Sequence, residues 1–172
     1  LTPVPALSTE RLNLVPLGPE HLDGTWVALQ EPEVLRLTGT HARFTREGVE
    51  TWLRSLADRE DRADWAILRR QDGAHIGEVV LSDLDEDDLS AGFRIALAGP
   101  QWFGAGYGTE ATRAVIRHAF DTVGLHRVEL EVYAFNPRAQ RAYEKAGFVV
   151  EGRRREALRW DGESVDAIVM GI

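Results

Sequence analysis

The sequence predicts a single α/β domain, spanning residues 1–172, whose central sheet is mixed but mostly antiparallel and flanked by helices. Three observations carry this. Strand-like alternation comes first as a meander, then alternates with amphipathic helix patterns, and finally closes in a hairpin. One strand opens through three alternating glycines, Gly104, Gly106 and Gly108, directly into a helical pattern. A length of 172 residues with 44% hydrophobic and 28% charged content is that of one globular domain with a core of its own.

Taken in order, residues 11–15 alternate as a strand. Pro19 opens a helix that turns Leu22, Trp26 and Leu29 inward, and Pro32 starts a further short helical turn. Thr45 caps a clearer helix with Val49, Trp52, Leu53, Leu56 and Ala57 on one face. Residues 65–70 and 75–82 read as a hairpin around Gln71-Asp72-Gly73, and a third strand runs over 89–97 after an acidic turn. A helix over 109–123 buries Ala111, Val115, Ala119 and Phe120. In the strand 127–134, Val128, Leu130, Val132 and Ala134 take one face, and Glu129, Glu131 and Tyr133 the other. Asn136 suits an N-cap, Pro137 the first helical position and Gly147 the helix end, with Ala139, Ala142, Tyr143 and Ala146 on one side between them. Residues 148–160 and 163–169 close as a hairpin around Asp161-Gly162.

Alternating glycines at a strand-to-helix junction are a device for holding an anion. Glycine lets the backbone approach closely and visit positive φ. The first helical N–H groups lack intrahelical partners and face the positive end of the helix dipole. The guest this arrangement points to is a phosphate or pyrophosphate. The spacing G-x-G-x-G is not the Rossmann G-x-G-x-x-G, and Thr109 follows Gly108 without the lysine of a Walker A loop. A glycine-rich turn that merely joins strand to helix has the same local signature.

The run Phe103-Gly-Ala-Gly-Tyr-Gly-Thr109 resembles the acetyl-CoA pyrophosphate loop of the GNAT N-acetyltransferase superfamily. Asn136-x-x-Ala-x-x-x-Tyr143-x-x-x-Gly147-Phe148 resembles that superfamily's second cofactor motif. Trp102-Phe-Gly together with Gly-Thr-Glu-Ala111, and the opening Ser8-Thr-Glu-Arg-Leu-Asn-Leu14, are most similar to the branch containing the Rim-type ribosomal-protein N-terminal acetyltransferases. Two positions depart from the pattern: Phe103 stands where the superfamily usually has Gln or Arg, and Ala139 where it often has Ser. The resemblance implies acetyl-CoA as co-substrate, held by Phe103, Gly104, Ala105, Gly106, Tyr107, Gly108, Thr109, Asn136 and Tyr143. It further implies that Ile95-Ala96-Leu97 pairs with the pantetheine amides, and that a bulge there frees a backbone N–H for an oxyanion. The implied acceptor is a protein N-terminal α-amine. Small amines such as polyamines and aminoglycosides, or an acyl-CoA-binding module without catalysis, are the alternatives.

Moving an acetyl group from a thioester to an amine requires a neutral amine, donors for the oxyanion and a proton for the leaving thiolate. At pH 7 deprotonation costs roughly 1.4 kcal/mol for an α-amine and about 4.6 kcal/mol for lysine, from their reference pKa values. A modest base therefore suffices for an N-terminus. Glu131 is the candidate base, since some N-terminal acetyltransferases of the superfamily carry a matching glutamate; alternation alone equally makes it part of a solvated strand face. Tyr143 is the candidate acid, placed by the motif where the superfamily's tyrosine faces the cofactor sulfur; the other reading is a core tyrosine.

Composition excludes other chemistries. With no cysteine there is no disulfide, no thiolate metal site and no cysteine nucleophile, so attack is direct within a ternary complex. The five histidines make no H-E-x-x-H and no metal is expected; no G-x-S-x-G supports hydrolase chemistry. A net charge of −8 argues against nucleic acid and suits a cationic substrate. Asp85-Glu-Asp-Asp88 is either a lure for such a substrate or a solvated turn, and Arg153-Arg-Arg155 either a phosphate grip or a polar strand face. No apolar run could cross a bilayer and no signal-peptide pattern opens the chain, which points to the cytoplasm; a homodimer is left open. The chain starts at Leu1 rather than methionine and stops at Ile172, so further residues are expected at either end.

Overall fold

In the computed structural model, which describes residue 1 and residues 3–172, eight strands form one sheet. They are β1 (Leu7–Ser8), β2 (Leu12–Pro16), β3 (Ala63–Arg69), β4 (His75–Asp85), β5 (Ser90–Leu97), β6 (Arg127–Tyr133), β7 (Val149–Trp160) and β8 (Glu163–Gly171). Their order across the sheet is β1-β2-β3-β4-β5-β6-β8-β7. Every neighbouring pair is antiparallel except β5 with β6, so the sheet is mixed and mostly antiparallel, as predicted. The single parallel pair follows from its connection, which carries a whole helix, α4 (Tyr107–His118).

That parallel pair is short. Ser90, Ala91 and Gly92 pair with Arg127, Val128 and Glu129, and there the ladder stops. Beyond it β5 stays on β4 as far as Leu97 opposite Gly77, while β6 stays on β8 as far as Tyr133 opposite Ala167. The two strands follow different neighbours and part as a wedge. The bulge expected at Ile95-Ala96-Leu97 is a correction: the β4–β5 register runs unbroken there, with Val79 opposite Ile95 and Glu78 opposite Ala96, and its irregularity lies between Ser82 and Asp85. Backbone is exposed beside Ile95 because the neighbouring strand leaves, not because β5 kinks.

Two apolar clusters cover the two faces. The larger joins Leu12, Leu14, Trp65, Phe93, Val115, Val128 and Tyr143, under α4 and α5 (Pro137–Ala146). The smaller gathers Leu17, Ala66, Val49, Leu53 and Leu56 with the partly buried Leu22, Trp26, Leu29 and Trp52, under α1 (Leu22–Ala28) and α3 (Arg46–Ser55). Ala57 is exposed instead of inward, because α3 ends at Ser55 and the tighter turn Leu56–Asp58 rotates it away. Thr45 caps α3 as predicted, its Oγ1 accepting from the Gly48 N–H at 3.0 Å. Thr45→Ala should lower unfolding stability by about 1 kcal/mol in urea denaturation, with acetyl-CoA binding unchanged. α4 begins two residues before the predicted start, because Gly106 at φ +83° serves as its N-cap. It ends in a wide turn, Ala119–Val123, closed by Gly124 at φ +82°.

Candidate active site

The wedge between β5 and β6 holds a cavity of about 440 Å³ that passes over the N-terminus of α4 and along α5. Its helix-side wall contains Phe93, Thr112, Ala139, Ala142 and Tyr143. On the other side stand Arg94, Glu131 and Tyr133, facing Val34, Leu37 and Thr38 of α2 (Pro32–Leu37) and the residue that follows it. Ile95, Ala96, Leu97, Phe103, Gly104, Gly106, Tyr107, Gly108, Thr109 and Asn136 also line it. Every site residue expected from the sequence is therefore gathered at one cavity except Ala105.

The glycine loop explains the exception. Gly104 and Gly106 sit at φ +76° and +83°, a region that favours glycine. Nothing lies within 4 Å of where a Cβ would stand on Gly104 or Gly108, so the loop's outer surface opens to the cavity. The N–H groups of Tyr107, Gly108 and Thr109, in the first turn of α4, have no intrahelical acceptor. Ala105 turns the other way: its carbonyl accepts from Arg11 Nη1 at 2.8 Å. The same guanidinium donates through Nε to Glu110 at 2.7 Å and lies 4.5 Å over the Tyr107 ring. Glu110 also accepts from the Arg11 backbone N–H at 2.8 Å and from the Thr9 hydroxyl at 2.6 Å. Although desolvation opposes it, these partners hold the Glu110 carboxyl below its ordinary range. Arg11 thus neutralises a carboxylate that would otherwise oppose an anion at the helix N-terminus. Arg11→Ala should weaken acetyl-CoA binding about tenfold, the equivalent of one charge-assisted hydrogen bond, without removing any group that lines the cavity. Calorimetric titration of the variant checks this.

Tyr143 is almost wholly buried, its ring packed edge-on against Phe93 and Phe148 at 6.2 and 6.0 Å between centroids. Among the described residues no hydrogen bond engages its hydroxyl, and no side-chain oxygen or nitrogen is sealed off without a partner; the hydroxyl therefore opens to the cavity. Burial pushes the phenol well above its ordinary pKa, which keeps it protonated throughout the working range. Glu131 lies across the wedge, with one oxygen 2.5 Å from Arg154 Nη1 of β7 and the other without a hydrogen-bond partner among the described residues. Asn136 caps α5, its Oδ1 accepting from the Ala139 N–H at 3.2 Å, which leaves its amide for the cavity. Where Phe103 replaces a polar residue of the motif, the guanidinium of Arg138 stacks on its ring at 3.7 Å, so α5 brings a cation back to this point.

The lining differs in charge from the chain as a whole. Arg94, Arg138, Arg141 and Lys145 face the cavity with Glu131 as the one carboxylate among its lining residues, although the whole chain carries −8. The acidic turn takes no part: Asp85 Oδ1 accepts from the Asp87 and Asp88 N–H groups and closes a loop away from the lining. Of the basic run, Arg153 pairs with Asp166 and Arg154 with Glu131, and none of its three arginines lines the cavity. The sequence reading missed Arg11, Arg94 and Arg138, and the wall from α2. For Arg11 a signal existed, its place in the opening run Ser8–Leu14; for the others none did.

The parted strands, the open space over the glycines, the bare helix N-terminus and the cations of α5 fit an amide-bearing arm that ends in phosphates. Residues 11–149 match the family described as acetyltransferase (GNAT) domain. FsC-acetyl coenzyme A-N(2)-transacetylase of Aspergillus fumigatus is 32% identical over 145 residues, which cover 77% of this chain and 60% of that protein. Alpha/beta-tubulin-N-acetyltransferase 9 of Homo sapiens is 26% identical over 150 residues, 81% of this chain and 72% of that protein. The chain thus spans less than two thirds of the fungal relative's length. Among solved structures, spermidine N-acetyltransferase from Vibrio cholerae in complex with CoA and spermine matches with a TM-score of 0.85 at 24% identity, over 95% of this chain and 96% of that one, a likeness of fold.

Proposed function

The chain belongs to the GNAT acetyltransferase family, a family of acyltransferases, and from that premise we propose that it transfers the acetyl group of acetyl-CoA to a primary amine. The observation that carries the reading is the wedge: two strands part beside a glycine loop whose helix N-terminus is open to the same cavity. The inner backbone of β5 over Ile95, Ala96 and Leu97 offers amide partners to a pantetheine arm. The first turn of α4 takes the pyrophosphate. A relative named for acetyl coenzyme A transacetylation and a structural neighbour with CoA bound support the donor.

In this reading the amine nitrogen bonds to the thioester carbon, the carbon–sulfur bond breaks, the amine loses a proton and the thiolate gains one. Tyr143 donates toward the sulfur. Glu131 takes the amine's proton, directly or through water, on the oxygen that Arg154 leaves free. A carboxylate already shared with a guanidinium suits an acceptor that is cheap to deprotonate. That favours an α-amine, at roughly 1.4 kcal/mol, over a polyamine or lysine at about 4.6 kcal/mol. We therefore place a peptide-like α-amine first, in keeping with the resemblance to the Rim-type branch and a protein-acetylating relative.

Calorimetric titration with acetyl-CoA and thiol release with peptides bearing N-terminal Ser or Ala test this together. Saturable donor binding and release of free thiol with peptide are expected. No binding at millimolar acetyl-CoA would end the enzyme reading, and release only with polyamines or aminoglycosides would end the α-amine reading. Binding without release for any amine would leave an acyl-CoA-binding module.

A further inference from the structure

On the acceptor side of the wedge the charged groups come in matched pairs. Glu33 is bonded to Arg36 at 2.7 Å, Glu131 to Arg154 at 2.5 Å, and Asp166 to Arg153 at 2.7 Å. Glu78, on the neighbouring strand, is half-buried beside α1, accepts from the Thr25 hydroxyl, lies 3.7 Å from His75 Nε2 and feels the charge of Arg94 without bonding to it. Arg94 is different. It lines the cavity and, among the described residues, makes no hydrogen bond and no ion pair within 4 Å.

Its position fixes what it can meet. Along β5 the side chains alternate, and Phe93 points into the core with Tyr143 and Phe148. Arg94 therefore points to the opposite face, the face of Glu131, Tyr133 and α2. It stands one residue before Ile95 and Ala96, the backbone that would hold the end of the pantetheine arm. An acceptor nitrogen reaching the thioester from this face passes within a few bonds of the guanidinium.

We infer that the acceptor carries a carboxylate close to the amine that is acetylated, and that Arg94 receives it. The inference rests on the acetyl-transfer reading above and names its substrate class. The attacking amine must be neutral when it reacts, and Glu131 is the one lining carboxylate placed to take its proton. What remains to be matched is the arginine, whose planar fork suits a carboxylate in a bidentate pair. A polyamine meets the opposite situation: its remaining ammonium groups would face an unpaired guanidinium and carboxylates that already have partners. The carboxylate has two sources, an acidic side chain beside a peptide N-terminus or the α-carboxylate of a free amino acid.

The test compares kcat/KM for three peptides that differ at one residue, Ser-Asp, Ser-Ala and Ser-Lys at their N-termini, with free serine and spermidine beside them. The acidic peptide, the free amino acid or both should exceed the lysyl peptide and spermidine by about ten- to hundredfold. Which of the two leads identifies the source. Arg94→Gln should bring the acidic and lysyl peptides to parity, and Arg94→Glu should invert their order. Acetyl-CoA affinity, measured on each variant by calorimetry, should stay at the parent's value and separates misfolding from altered preference. Turnover without charge preference in the parent, preference for spermidine, or a preference that survives Arg94→Glu would overturn this inference while leaving acetyl transfer intact. No turnover with any amine would remove acetyl transfer and this inference together.

Discussion

Valine in place of Gly106 is expected to reduce acetyl-CoA affinity about a hundredfold while leaving the chain folded. Gly106 sits at φ +83°, and a β-branched residue held there is strained by about 1–3 kcal/mol. Its Cβ would stand 3.2 Å from Arg11 Nη2, so the guanidinium that braces Ala105 and Glu110 must move as well. Strain, displacement of the brace and crowding of the helix N-terminus all act on the loop that would meet the pyrophosphate. Calorimetry and thermal denaturation, read side by side, check both halves. Unchanged affinity with the variant folded would mean that the pyrophosphate is held elsewhere.

Tyr143→Phe is expected to lower kcat about ten- to hundredfold, with acetyl-CoA affinity and stability close to the parent's. The ring and its contacts with Phe93 and Phe148 remain, and among the described residues the hydroxyl has no partner to lose. The size of the effect follows from burial. A phenol raised above its ordinary pKa lies well above a thiol near 8.5, so full transfer of its proton to the leaving sulfur is uphill. What the tyrosine offers is a hydrogen bond to developing charge, worth about 1.5–3 kcal/mol. The same shift sets the pH dependence: the donor form persists as pH rises past 10, so no alkaline loss of rate should arise from this group. A parent-like kcat with chemistry rate-limiting would make Tyr143 a packing residue.

The features legible in the sequence were local ones. Thr45, Asn136 and Pro137 announce helix starts because capping acts over three residues, and Val128, Leu130 and Val132 announce a strand because pleating acts over two, although Ala134, expected on the same face, lies past the strand's end and is exposed. The glycine loop was legible for the same reason. What escaped was set by distant partners. Arg11 and Glu110 lie 99 residues apart, and only the packing of β2 beside α4 joins them. Ala105 sits inside the motif yet faces away, since a motif records chain order and not which way a carbonyl turns. The parting of β5 from β6 comes from each strand's loyalty to a different neighbour. Net charge did not reveal the basic lining because it sums the whole surface, whereas a ligand meets the few groups that line its path.

A sheet that parts in its middle has four edges instead of two. Two are the outer strands β1 and β7; the others are β5 beyond Gly92 and β6 beyond Glu129. Bare edges on a protein's surface invite strands from other chains. Here the inner pair lies within the fold, walled by α2, by the start of α4 and by α5, where a slender extended molecule can enter. In the proposed binding mode the acetyl donor would act as a ninth strand that comes and goes. Its arrival should be felt far from the chemistry, as slower hydrogen exchange along residues 93–97 and as about 2.7 kcal/mol of added resistance to unfolding when the donor stands at a hundred times its dissociation constant.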